Sequence, residues 1–209
     1  MWRAAVIDKR RGLIDTMAAV TEQKLTGGAS RYETAIATLV GFCALCVSGY
    51  TAYVQRQQVR AAVWPILEFQ SSNEPNIHFE LANKGVGPAI IRNVVVSVDG
   101  QPVANWHDAL QKLLGPGVHH YMESDMTGRV FAPGESVEVF APRGSNGEDV
   151  AKADPLWPKI NKDRARISVE ICYSSTLNEC WMLRGGGGAL STTTEIGKCP
   201  GPSKQSFKE

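Results

Sequence analysis

The chain has 209 residues, of which 43% are hydrophobic and 21% charged, and its formal net charge is +1. That length allows one ordinary domain with an appendage, and the composition is not that of a disordered chain. A charge so near zero excludes a nucleic-acid binder working by bulk electrostatics, so no nucleic-acid partner is expected.

The charge is unevenly placed. Residues 1–60 hold eight Lys/Arg against four Asp/Glu, and the remainder holds fourteen against seventeen. The first part, residues 1–33, reads as a basic, partly helical tail. Trp2, Val6, Leu13, Ile14 and Met17 recur at roughly helical spacing around Lys9, Arg10 and Arg11. Such a segment is a solvated tail or a helix lying on an anionic membrane surface. Gly27-Gly28 breaks it.

Thr34 to Val54 then runs for 21 residues without a charge. A helix of about 20 predominantly apolar residues crosses a bilayer core. Tyr32 stands at one edge and Tyr50 and Tyr53 near the other, as an interfacial aromatic belt would place them. The run is longer than a signal-peptide core and lacks a cleavage-site pattern before charge resumes at Arg56. A transmembrane helix over 34–54 is therefore expected, with a linker at 55–63. Ala44, Ser48 and Ala52 recur every four residues and form a candidate helix-association face, as do Ala37 and Gly41, so a homo-oligomer is one possible state. Cys43 and Cys46 on this helix read as small apolar residues. Arg3, Lys9, Arg10, Arg11, Lys24 and Arg31 precede the span, against Arg56 and Arg60 just after it. The bias favours a cytoplasmic N-terminus and an extracytoplasmic C-terminal domain at the plasma (inner) membrane, with the reverse topology as the rival.

Residues 64–190 read as a mainly β domain. WPILEFQ (64–70) and NIHFELAN (76–83) are short strands separated by SSNEP. In the second, Ile77, Phe79 and Leu81 point inward while His78 and Glu80 point out. AIIRNVVVSVDG (89–100) is a β-branched strand ending in Asp99-Gly100, a strong hairpin signal. NWHDALQKLLG (105–115) carries Trp106, Leu110, Leu113 and Leu114 at helical spacing before a glycine stop, and reads as a short inserted helix. GRVFAPGESVEVFAP (128–142) gives two strands around Ala132-Pro133-Gly134, with Val137, Val139 and Ala141 facing away from Glu138 and Phe140. The mixed-charge stretch 154–166 reads as a solvated connector. ARISVEICY and ECWML form a last hairpin, Gly185 to Gly188 a flexible turn, and 191–209 a loosely ordered tail that adds at most an edge strand. Six to eight short strands with turns between them suggest an antiparallel β-sandwich.

ELANKGVGPAIIRNVVVSVDG (80–100) followed by FAPGESVEVF (131–140) resembles a pattern in bacterial immunoglobulin-like sandwich domains. There an Asn-x-Gly-x-Gly-Pro-Ala turn links two core strands and a Pro-Gly-Glu turn precedes a later one. With the single span, the chain resembles small single-pass bacterial membrane proteins, and the resemblance implies an immunoglobulin-like fold and no particular activity. The glycines are expected to supply positive φ and the proline to fix a strand entry.

The cysteines carry the remaining chemistry. If the last hairpin pairs residues whose numbers sum to 352, Cys172 and Cys180 lie opposite each other, and a cross-strand disulfide between them is expected. Free buried thiols and a metal or redox pair are the alternatives; no C-x-x-C before a helix supports the last. Cys199 is left to replace a partner in that bridge, to cross-link a second chain or to stay free. His119, His120, Glu123 and Asp125 in GVHHYMESD have metal-binding chemistry but no second ligand cluster, and read as a solvated loop. No nucleophile elbow, phosphate loop, H-E-x-x-H or dinucleotide fingerprint occurs. No catalytic residue, metal or cofactor is assigned. The expectation is a non-catalytic, membrane-anchored binding or scaffolding protein of the cell envelope, its partners the bilayer and another envelope protein met through sheet edges and the insertion at Asn105–Asp125. The alternative is a sensor or transport accessory coupling the outer domain to the tail.

Overall fold

The computed structural model of the protein describes residues 31–74, 76–117, 119–143 and 156–208. The expected basic helix before Gly27 and most of the tail lie outside these residues. The chain divides into two units, Met1–Gln55 and Arg56–Glu209.

The first long element is a helix, α1 (Arg31–Ala62). It contains the whole apolar run, its most apolar 18-residue window has a mean hydropathy of 1.7, and none of its residues is buried. Three hydroxyls return to the helix itself. Thr38 donates to the Thr34 carbonyl, Ser48 to Ala44 and Thr51 to Val47, at 2.7–2.8 Å.

Among the described residues of the second unit, ten strands form two antiparallel sheets. They are β1 (Leu67–Ser72), β2 (His78–Asn83), β3 (Ala89–Val98), β4 (Gln101–Val103), β5 (Tyr121–Glu123), β6 (Val130–Phe131), β7 (Ser136–Pro142), β8 (Ile167–Ser174), β9 (Cys180–Gly186) and β10 (Ala189–Ile196). One sheet has the order β1-β2-β7-β5; the other runs β10-β9-β8-β3-β4, with β6 beside β3. The alternation read in 76–83 holds, because Ile77, Phe79 and Leu81 are fully buried while His78 and Glu80 are not. Asp99 and Gly100 both take positive φ, 51° and 73°, and turn β3 into β4 as a primed hairpin requires. Arg166 clasps that turn, donating to both Asp99 carboxylate oxygens at 2.6–3.2 Å.

The inserted helix is α2 (Trp106–Leu114). Asn105 caps it by accepting the Asp108 N–H at 2.9 Å, and Gly115, at φ 92°, ends it. Trp106, Ala109, Leu110 and Leu113 face the core. There the Trp106 ring meets Phe140 at 4.6 Å, Phe207 at 5.3 Å and Phe79 at 5.9 Å between centroids, so α2 caps a core drawn from both sheets.

The two strands expected around Ala132-Pro133-Gly134 are β6 and β7; β6 joins β3 and β7 joins β2 and β5, so the chain changes sheet at Pro133-Gly134. Three expectations are corrected. Phe140 points inward, because Phe79 pairs with Phe140 but Glu80 with Glu138. The extra residue, Val139, is a β-bulge that resets the alternation. The connector holds a helix, α3 (Leu156–Asp163), and a turn of 3₁₀ helix (Arg164–Arg166), with Ile160 buried. Pro158 suits its first turn, where a missing N–H costs nothing. Finally, the segment after β10 is packed against the sheet. Phe207 is buried, its N–H donates to the Val94 carbonyl at 2.8 Å, and the Ser206 hydroxyl donates to Asn93 Oδ1 at 2.6 Å.

The Asn-x-Gly-x-Gly-Pro turn has a physical logic different from the one expected. Neither Gly85 nor Gly87 has positive φ. A Cβ on Gly87 would lie 2.0 Å from the Val63 carbonyl oxygen, and one on Gly85 would lie 2.5 Å from that of Trp64. The glycines thus allow two backbone segments to touch. Asn83, wholly buried, holds that contact. Its Oδ1 accepts from the Ile66 and Gly85 N–H groups at 3.2 and 3.0 Å, and its Nδ2 donates to the carbonyls of Gly87, Phe131 and Ala132 at 2.8–3.2 Å.

Candidate functional site

The β8–β9 hairpin carries the chemistry singled out from the sequence. Its turn closes through Ser175 N–H to the Glu179 carbonyl at 2.9 Å and Asn178 N–H to the Ser175 carbonyl at 3.1 Å, with Asn178 at φ 60°. This five-residue connection sets the register at Ser174 opposite Cys180 and Cys172 opposite Met182. The expected pairing of Cys172 with Cys180 is therefore overturned. The two lie on the same face of the sheet as diagonal neighbours, and such pairs have Cα atoms about 7–8 Å apart. A disulfide needs roughly 4.4–6.8 Å. Cys172 is instead bridged to Cys199, at a Cα separation of 5.8 Å.

Register also explains the side on which this happens. Ile171, Tyr173, Trp181 and Leu183 point into the core, so Cys172, Ser174, Cys180 and Met182 point to the other face. The segment 197–208 crosses that face. It leaves β10, is bridged to β8 at Cys172, is hydrogen-bonded to β3 at Asn93, and lays Phe207 alongside Val94, between the stretches of β3 paired with β6 and β4.

Cys180 keeps a free thiol and is buried. Its Sγ accepts a hydrogen bond from the Cys199 backbone N–H at 3.1 Å. Cys180 and Cys199 share the wall of a cavity of about 520 Å³ whose charged lining groups are Arg92 and Lys198. Arg92 is held by its Nε bond to the Ser174 hydroxyl at 2.9 Å. On the opposite face, Tyr173 stacks on Trp181, and burial pushes its hydroxyl above the usual tyrosine range, partly offset by hydrogen bonding with Thr193 and Leu67.

The other sequence-derived candidates are not drawn into one site. Among the described residues no three His, Cys, Asp or Glu side chains gather as a metal site. His119 Nε2 lies 3.0 Å from the Gly115 carbonyl, which ties it to the end of α2, and Glu123 sits on β5. Beside α2 a cavity of about 550 Å³ is lined by Pro102, Val103 and Ala104 together with Asp108, Gln111, Lys112 and Lys204. Ala44, Ser48 and Ala52 remain exposed along α1.

Cys199 replaces Cys180 in the bridge, one of the three places the sequence left open to it. No local signal marks it, because its position depends on β10 pairing with β9 and bringing the chain back beside Cys180. No protein-family model, curated protein or solved structure matches this chain.

Proposed function

We propose that this chain is a non-catalytic, single-pass membrane protein that holds an immunoglobulin-like binding domain outside the cytoplasm, as a scaffolding or binding component of the cell envelope. The observation that carries the reading is α1, a 32-residue helix with a 21-residue uncharged run and no buried residue. At 1.5 Å per residue the uncharged run measures about 31 Å, the thickness of a bilayer core. The hydroxyls of Thr38, Ser48 and Thr51 bonded back to the helix suit a medium that offers them no water.

The extracytoplasmic side is supported by the Cys172–Cys199 disulfide, since such bonds persist in oxidising compartments. The basic flank before the span points the same way. Strand order supports the immunoglobulin-like fold. With β1, β2, β7 and β5 as A, B, E and D, and β9, β8, β3 and β4 as G, F, C and C′, the two sheets follow the ABED and GFCC′ orders. The chain departs from antibody domains in having no Trp on β3 and in bridging the F-like strand to the segment after β10. The solvent face of α2, with His107, Gln111 and Lys112, and the mixed polar and apolar cavity beside it are the partner surface in this reading.

The test is alkaline carbonate extraction of membranes from cells making the full chain, with intact mass of the protein recovered. Retention in the pellet with residues 34–54 present, and digestion of the domain by protease added to the extracytoplasmic side, is the expected result. A protein released by carbonate, or one whose mass begins after residue 54, would sink the anchor reading.

A further inference from the structure

We propose that Cys180 is an exchange thiol: it attacks the Cys172–Cys199 disulfide and moves the bridge from β8 to β9, so that the chain holds two disulfide isomers. The inference needs only the three cysteines as the fold places them and is independent of any membrane. Cys180 has a free thiol, faces the same side of the sheet as Cys172 one strand away, and is touched by the backbone N–H of Cys199 at 3.1 Å. A third sulfur held against a disulfide is the arrangement that thiol–disulfide exchange requires.

The step balances without an external oxidant. The Cys180 thiol gives up its proton, and the thiolate attacks Cys199 Sγ. A Cys180–Cys199 bond forms, the Cys172–Cys199 bond breaks, and the electron pair leaves on Cys172 Sγ, which takes up a proton. The cavity of about 520 Å³ at Cys180 and Cys199 admits the solvent that carries this proton and leaves room for the segment to shift. Arg92 and Lys198, the charged groups lining it, put positive charge where an anion passes between sulfurs.

Geometry also selects the product. Attack on the other sulfur would release Cys199 and leave Cys172 bridged to Cys180, a diagonal pair whose spacing of about 7–8 Å exceeds disulfide reach. Cys199 is thus the shared partner in both isomers, and the segment 197–208 stays fastened to the sheet throughout. What moves is the strand to which it is fastened. The thiol left over is Cys180 in one isomer and Cys172, 1% exposed in the structure, in the other.

The full chain, purified in detergent without reductant, would be held at about pH 8 and acid-quenched at intervals. It is then denatured and alkylated with N-ethylmaleimide. Combined cleavage after Arg, Lys and Glu separates Cys172 (peptide 171–179), Cys180 (180–184) and Cys199 (199–204) for mass mapping. The expected result is label on Cys172 that rises with time above the level in Cys180→Ser, where exchange has no nucleophile. Label on Cys172 that stays at the Cys180→Ser level overturns the proposal, and so does label appearing on Cys199 in its place. Cys172→Ser, folded and held with oxidised glutathione as the oxidant, provides a second reading: a Cys180–Cys199 cross-linked peptide, with glutathione reduced, supports the proposal, and a Cys199 that stays free or ends as a glutathione mixed disulfide refutes it.

Discussion

Asn83 is the side chain on which the second unit depends most visibly. It is wholly buried, and its amide joins the entry strand, the glycine turn and the β6–β7 turn through five hydrogen bonds. Buried polar groups left without partners cost about 1–3 kcal/mol each. Asn83→Ala would take a partner from the Gly87 and Phe131 carbonyls and from the Ile66 and Gly85 N–H groups, some of which water can reach, while the Ala132 carbonyl keeps its bond from the Glu135 N–H. A loss of about 2–4 kcal/mol in chemical denaturation is expected. A loss within about 0.5 kcal/mol would show that the network is dispensable. Glu135 plays a smaller part in the same corner. It accepts the Ala132 N–H at 2.7 Å and Arg129 Nη2 at 2.9 Å, and these bonds, the backbone one first, hold its carboxyl below the usual glutamate range. The stability it lends is present above the ordinary glutamate pKa and fades as pH falls through its lowered value.

Among the elements, α2 joins local and long-range structure most tightly. Asn105 starts it and Gly115, the stop readable from sequence, ends it, but its worth lies in Trp106 wedged among Phe79, Phe140 and Phe207. Trp106→Ala should cost about 3–5 kcal/mol, measured by thermal or denaturant unfolding. A cost below about 1 kcal/mol would mean that α2 is an appendage to the core and not part of it. The contrast between cap and wedge also marks how far the sequence could be read. Asp99-Gly100, the 78–83 alternation and the glycine stop of α2 were legible because each rests on neighbours within a few residues. The β8–β9 register was missed because sums of 352 and 354 bury the same faces, and only the turn through Asn178 chooses between them. Phe140 was misread because a bulge opposite Phe79 and Glu80 leaves no trace in the alternation itself.

At the scale of the whole molecule, the second unit is closed by groups far apart in sequence. The bridge between Cys172 and Cys199 spans 27 residues and encloses β9 and β10. A loop of that length is worth about 3.5 kcal/mol on the chain-entropy account. Reductant should therefore lower the unfolding midpoint by a corresponding amount, whereas an unchanged midpoint would show that Phe207 and Ser206 hold the segment by themselves. An edge strand beyond Ser191 was legible, but the anchorage of the segment that follows it was not, because its single buried aromatic, Phe207, gives no periodicity. The candidate site was legible in part: all three sulfurs were picked out, but the bridge was assigned to Cys172 and Cys180, with Cys199 as a replacement partner, a cross-link to a second chain or a free thiol.

The clamp at Asn83 also has a mechanical meaning. The chain passes from α1 into β1 through Val63 to Ile66, so a pull arriving along the helix enters the second unit there. Before it can load the first rung of the β1–β2 ladder, Leu67 with Asn83, it meets the bonds of Val86 and Gly87 N–H to the Trp64 carbonyl, of Lys84 N–H to Ile66, and of Ile66 N–H to Asn83 Oδ1. The glycine turn is thereby a strain relief at the point where a tether would tug, sparing the sheet edge from being peeled.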